Sequence, residues 1–135
     1  MTTITRTTTA TTVDALLDAI RSGRGIPSAL YSDGAVLDAT VPNWRHFVEG
    51  PEAIAAEYAR WFADPAVTEE LERFPTEDGE VVRYLLSWRQ HGVPHAAHHT
   101  HLLTLDSDGR ISKDVVFCGG RWDAALLAQM EEARG

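Results

Sequence analysis

The stretch from 80 to 118 constrains the fold more than any other part of the chain. It reads as three runs, 80–90, 95–105 and 111–118, whose periodicity approaches two. Alternation of that kind gives a strand one apolar face. The connecting segments, His91-Gly92-Val93-Pro94 and Asp106-Ser107-Asp108-Gly109, are short and rich in turn residues. Together the three runs predict two successive antiparallel hairpins.

Register then decides which side chains stand together. With Ser107-Asp108 as a two-residue tip, His101 faces Asp114, His99 faces Val116 and Ala97 faces Cys118. With Gly92-Val93 as the other tip, Tyr84 faces His101, Leu86 faces His99 and Trp88 faces Ala97. All of these share one face in three rows, with opposite Cβ atoms about 4.5–5.5 Å apart. The first row aligns a phenol, an imidazole and a carboxylate. Asp114 can accept from one nitrogen of His101 and so fix its tautomer, leaving the other nitrogen to Tyr84 or to a pocket. An imidazole held that way can take or give a proton near neutral pH. The same row can instead satisfy its own polar groups inside a packed core and do no chemistry. An open pocket on this face favours the first reading and a filled core the second.

Upstream, the pattern turns helical. Val13, Leu16, Leu17 and Ile20 make one stripe, which predicts a helix over 13–20 capped by Thr12. The Thr-rich residues 1–11 read as a disordered tail. A short helix over 27–31, a turn at Ser32-Asp33-Gly34 and a strand over 35–41 follow. Residues 43–50 form a loop or short strand. The clearest helix spans 51–63: Pro51 suits its first turn, Asp64-Pro65 closes it, and Ile54, Tyr58, Trp61 and Phe62 form its buried stripe. Segment 67–75 suits an edge strand or a helix. A short helix carrying Leu126, Leu127 and Met130 ends the chain. Residues 12–135 therefore form a single α+β domain, helices first and then a curved antiparallel sheet.

Composition removes several functions. The 135 residues carry a net charge of −8, without the basic stripe that nucleic-acid binding needs. No apolar run approaches a membrane span of about 18 residues, and no hydrophobic signal core is present, so the expected compartment is the cytoplasm. The single cysteine, Cys118, excludes an internal disulfide. It reads as a small buried hydrophobe, or less simply as a nucleophile beside His99. His95, His98, His99 and His101 do not suit a metal site, because strand alternation turns His98 away from His99 and His101. Trp44, Trp61, Trp88 and Tyr58 line either an aromatic pocket or an ordinary core. Asp38 points outward between inward-facing Leu37 and Ala39.

The stretches LYSDGAVLDATV (30–41), GPEAIAAEYARWF (50–62) and the hairpins from 82 to 118 resemble the nuclear transport factor 2-like superfamily, in its SnoaL-like and ketosteroid-isomerase-like branch. The resemblance covers about residues 13–122. It implies a cone-shaped α+β barrel in which a curved sheet wraps a long helix around a deep pocket. Matched to ketosteroid isomerases, the pocket-facing positions are Val82, Tyr84, Leu86, Trp88, Ala97, His99, His101, Asp114, Val116 and Cys118. His101 falls where that family has its oxyanion-hole acid, and Tyr58 matches a supporting tyrosine of the central helix. The isomerase base falls at Ala39 and its oxyanion tyrosine near Ala15, so the resemblance does not imply steroid isomerisation. In kind, a His-plus-Asp pocket with tyrosines is similar to scytalone dehydratase.

The expected function is that of a small-molecule-binding protein with a cofactor-independent acid–base activity: isomerase, dehydratase or cyclase. In this reading His101 transfers the proton, Asp114 orients it, and Tyr84 and Tyr58 donate to a substrate oxygen. His99 is a second polar contact, and Trp88, Leu86, Trp61, Trp44, Val116 and Cys118 complete the wall. A homodimer through the outer sheet face is expected, and no metal. The alternative is a non-catalytic binding or interaction module on the same fold.

Overall fold

The computed structural model describes residues 6–135. Helix α1 (Arg6–Ser22) is followed by a short 3₁₀ turn (Ser28–Leu30) and by strands β1 (Tyr31–Val41) and β2 (Trp44–Glu49). Helix α2 (Pro51–Trp61) precedes four long strands, β3 (Ala66–Pro75), β4 (Gly79–Gln90), β5 (Val93–Leu105) and β6 (Ile111–Cys118). A two-residue strand β7 (Trp122–Asp123) and helix α3 (Ala124–Ala133) end the chain. The sheet runs β2-β1-β6-β5-β4-β3, and β7 continues the β6 edge of β5. Every neighbouring pair is antiparallel except β1 and β6, which run parallel. Helices α1 and α2 cover the inner face, and Val13, Leu16, Ile20, Ile54, Tyr58, Leu37, Val82 and Val116 meet there as the core. This is the expected α+β architecture with a mixed sheet.

Both hairpins differ from the expected register by two residues. At the β4–β5 turn the tip is His91-Gly92, not Gly92-Val93; both tip residues have positive φ, 52° and 78°, as a twist-matched two-residue turn requires. At the β5–β6 turn the loop is longer, with Gly109 donating to Asp106 and Asp106 donating to Arg110. Gly109 takes φ 80°, the left-handed position that closes a three-residue loop. That loop alone would turn Asp114 to the outer face. A second irregularity, in which Leu105 pairs with Ile111 and Thr104 with Lys113, leaves Ser112 as an extra residue and restores parity. Two slips of two residues change the partners but keep each side chain on its face. The rows become Tyr84–His99–Cys118 and Val82–His101–Val116, with Asp114 opposite Leu103.

The first helix begins six residues before the expected cap. Residues 1–5 of the expected tail lie outside the described residues, while Arg6 to Thr11 are helical. Thr12 caps nothing: its Oγ1 donates to the carbonyl of Gly109 at 2.6 Å and pins α1 to the β5–β6 loop. Arg73 on β3 bonds Asp14 of α1 and buried Glu80 of β4, closing the other side. Segment 66–75 is the edge strand of the two readings left open. Ser32-Asp33-Gly34 lies inside β1, where the pairing with β6 shifts register, and is not a turn.

Candidate active site

Asp114 is the centre of a buried polar chain. Its Oδ2 accepts from Tyr58 at 2.7 Å and from Tyr31 at 3.1 Å. Its Oδ1 lies 2.9 Å from His101 Nδ1. His101 Nε2 lies 2.8 Å from the Tyr84 hydroxyl, which in turn lies 3.1 Å from His99 Nδ1. The expected Tyr84–His101–Asp114 line therefore exists, formed across diagonals of the sheet and not between directly opposite residues. Diagonal neighbours are about 7–8 Å apart at Cα, within reach of side chains this long. Burial raises the phenols of Tyr31, Tyr58 and Tyr84 well above their usual value, and the Asp114 charge raises them further. All three stay neutral and able to donate.

A cavity of about 400 Å³ opens on one end of this chain. His99, Trp61, Trp88, Leu86, Ala97 and Cys118 form its inner wall, and Val41, Pro42, Glu57, Arg60, Gly120 and Arg121 the rest. Tyr84, His101, Asp114, Tyr58 and Val116 are buried behind that wall and do not line it. His99 alone belongs to both the cavity and the chain. The rings of Trp61, Phe62 and Tyr84 surround it at centroid distances of 5.4–5.6 Å. Its Nδ1 is engaged by Tyr84, so the cavity is left with the Nε2 edge. Burial lowers the His99 pKa to about 3, with the nearby His101 adding to the effect, so at neutral pH the ring is uncharged.

That shift has a measurable consequence for stability. The unfolded chain binds a proton at His99 below roughly pH 6.5, whereas the folded one does not until near pH 3. The stabilisation is complete above pH 6.5 and is lost as the pH falls, at up to about 1.4 kcal/mol per pH unit. Urea unfolding of wild type and His99→Gln between pH 7 and 5 is expected to show the steeper loss in wild type. Equal slopes would show that His99 is not held neutral.

Leu86, Trp88, Trp61, His99 and Cys118 line the cavity. Trp44 does not: it opens edge strand β2 opposite Val41, with 68% of its surface exposed. Tyr58 cannot donate to a ligand, because its hydroxyl is committed to Asp114. Burial raises the Cys118 thiol, which suits a packing residue better than a nucleophile. Asp38 pairs outside the barrel with Arg45 through two bonds, at 2.8 and 2.9 Å. Ala39 is wholly buried on the inner face, so a methyl group stands where the resemblance places an isomerase base. Tyr31 was not anticipated, since only the parallel β1–β6 pairing brings it to Asp114. Glu57 was also missed, although helical spacing foretells its bonds to Arg60 and to Trp61 Nε1. No local signal marks Arg121, whose guanidinium lies 4.8 Å from the Trp88 ring centroid. Among the described residues no three His, Cys, Asp or Glu converge as a ligand set for a metal ion.

No family model matches the sequence, and no curated protein matches it significantly. Solved structures do. RV0760c from Mycobacterium tuberculosis aligns at TM-score 0.67 and 16% identity, over 91% of this chain and 96% of that one. A Catenulispora acidiphila protein with a ketosteroid isomerase-like fold, in complex with trimethylamine, aligns at 0.63 and 16%, over 80% and 85%. A steroid delta-isomerase from Pseudomonas aeruginosa aligns at 0.54 and 19%, over 93% and 87%. The chain thus has the nuclear transport factor 2-like cone fold, in the form shared by ketosteroid isomerase-like proteins. Among the described residues no helix is long and apolar enough to cross a membrane.

Proposed function

We propose that the protein binds a small, partly apolar, oxygen-bearing molecule and acts on it as a cofactor-independent isomerase, dehydratase or cyclase, with His99 as the group that exchanges a proton with substrate. The observation that carries this reading is one uncharged imidazole in a largely apolar cavity wall, backed by a hydrogen-bonded chain ending at a buried carboxylate. These reaction classes shift protons and electron pairs within one substrate, so no electron carrier is needed. His101, which the sequence presented as the transferring group, works from behind Tyr84 in this scheme.

The second reading is a non-catalytic binding module. The complete mutual satisfaction of Tyr31, Tyr58, Tyr84, His101 and Asp114 favours it, because a purely structural network looks the same. A panel of hydroxyl- and keto-bearing aromatic and polyketide-like compounds separates the two. Binding is read by quenching of Trp61 and Trp88 fluorescence, and chemistry by mass spectrometry in D₂O. Conversion, or deuterium uptake beside a carbonyl, supports the enzyme. A bound ligand that is neither converted nor exchanged leaves the binding module.

We further propose a homodimer through the outer sheet face. Phe74, Val81, Leu102 and Val115 form a continuous apolar row across four strands there, with Phe117 one row away. Phe74, Leu102 and Phe117 are exposed, an apolar patch that water alone covers poorly. Sedimentation at micromolar concentration is expected to give twice 14.9 kDa, and Leu102→Arg a monomer. A wild-type monomer would refute the interface.

A further inference from the structure

We propose that His99, Tyr84 and His101 form a proton relay: a proton taken at His99 Nε2 from the cavity is delivered, by a concerted tautomer exchange through the Tyr84 hydroxyl, to His101 beside Asp114. This rests on the acid–base reading of the cavity and extends it to the buried residues behind the wall.

Counting hydrogens leads to the relay. The Tyr84 oxygen sits between two imidazole nitrogens, at 3.1 Å from His99 Nδ1 and 2.8 Å from His101 Nε2, and it carries one hydrogen. It can donate to one nitrogen, and the other must then donate to it. His101 Nδ1 is committed to Asp114, whose other oxygen already takes two phenol hydrogens. With Asp114 ionised and His99 uncharged, two arrangements satisfy every bond. In the first, His101 is neutral with its hydrogen on Nδ1, Tyr84 donates to His101 Nε2, His99 donates from Nδ1, and His99 Nε2 is bare. In the second, His101 is an imidazolium, its Nε2 donates to Tyr84, Tyr84 donates to His99 Nδ1, and His99 carries its hydrogen on Nε2.

One proton separates the two. When a substrate C–H or O–H bond breaks, its proton bonds to His99 Nε2 and its electron pair stays on the substrate. The Nδ1 hydrogen of His99 passes to the Tyr84 oxygen, and the original Tyr84 hydrogen passes to His101 Nε2. The substrate ends as an anion and His101 as a cation, and reversal returns the proton to a different substrate atom. His99 is never charged, which agrees with the burial that disfavours its cation. The positive charge rests instead on the ring that faces a carboxylate.

Other charged and titratable groups surround the chain without interrupting it. Arg121, Glu57, Arg60 and Cys118 share the cavity with His99, and His98 neighbours it on the opposite face of β5. Tyr58 and Asp114 face His101 from α2 and β6, and Tyr31 on β1 bonds the same Asp114.

Nitrogen-15 NMR of the imidazole rings tests the relay on the ligand-free protein, because protonated and bare ring nitrogens resonate far apart. While His101 carries hydrogen on Nδ1 alone, His99 is expected to carry its hydrogen on Nδ1 as well. As acid adds a second hydrogen to His101, the His99 hydrogen is expected to move from Nδ1 to Nε2 at the same midpoint. In Tyr84→Phe that coincidence is expected to vanish, with His99 keeping one tautomer throughout. The wild-type titration is decisive alone, should the variant fold poorly. A His99 hydrogen fixed on one nitrogen through the His101 midpoint overturns the relay, as does a coincident flip that survives Tyr84→Phe. The measurement needs no substrate, so failure to find turnover leaves it standing. Turnover with a fixed His99 tautomer would show instead that His99 works without the residues behind it.

Discussion

His99→Gln is expected to lower turnover by about 10²–10⁴-fold, the usual worth of a positioned acid or base, while ligand binding changes little. That range corresponds to about 3–5 kcal/mol of transition-state stabilisation. Glutamine fills similar space, and its amide can still meet the Tyr84 hydroxyl and a ligand oxygen. It cannot accept a proton at working pH. The apolar wall of Leu86, Trp61, Trp88 and Ala97 is untouched, so the part of affinity that comes from buried surface persists. The contrast to measure is kcat against ligand dissociation constant, wild type against variant. Equal losses in both would make His99 a binding group. Unchanged kcat would remove it from the chemistry altogether.

The choice of His99 over His101 shows what the sequence could and could not supply. Alternation along 82–118 placed Tyr84, His99, His101 and Asp114 on one face, because strand parity survives any even slip. It could not rank them by depth. Which imidazole meets the cavity depends on how α2 closes over the sheet, with Trp61 and Phe62 against His99 and Tyr58 beneath them. Those contacts join residues almost forty positions apart. The β5–β6 register was misread by two residues, and the face of β6 was legible only by accident of parity, since the Gly109 loop and the extra Ser112 each shift the pairing by one.

Non-local pairing hid other features. Ser32-Asp33-Gly34 has the composition of a turn, but β1 runs on through it, pairing with a parallel partner from late in the chain at Tyr31 before it and from Val36 after it. Tyr31 is fixed by that same partner. Thr7 to Thr11 have modest helix propensity, and α1 extends through them as it packs along the β3–β4 side of the barrel, with Arg73 reaching both Asp14 and the carbonyl of Ala10. Trp44 misled for the opposite reason: aromatic identity suggests burial, but an edge strand can leave a tryptophan in solvent.

Asp114 should be the most costly single truncation in the barrel. It is wholly buried and receives three donors, Tyr31, Tyr58 and His101. Asp114→Ala leaves all three without an acceptor, and each buried donor left unsatisfied costs about 1–3 kcal/mol. Against a total of about 5–15 kcal/mol for a domain, that is a large fraction. Asp114→Asn should cost much less, because one rearrangement keeps a partner for both phenols and for His101 and leaves only the second amide hydrogen unpaired. The amide oxygen accepts from both phenols and the amide nitrogen donates to His101 Nδ1. His101 must then carry its hydrogen on Nε2 and donate to Tyr84, which donates to His99 Nδ1. The His99 hydrogen is forced onto Nε2, so the cavity meets a donor where wild type offers a base. Urea unfolding is expected to rank wild type, Asp114→Asn and Asp114→Ala in falling order, with the alanine variant at least about 2 kcal/mol below the asparagine one. The asparagine variant should nonetheless lose most of its turnover while remaining folded. Equal stability of the two variants would show that the phenols and His101 find other partners, and that Asp114 does not hold the chain together.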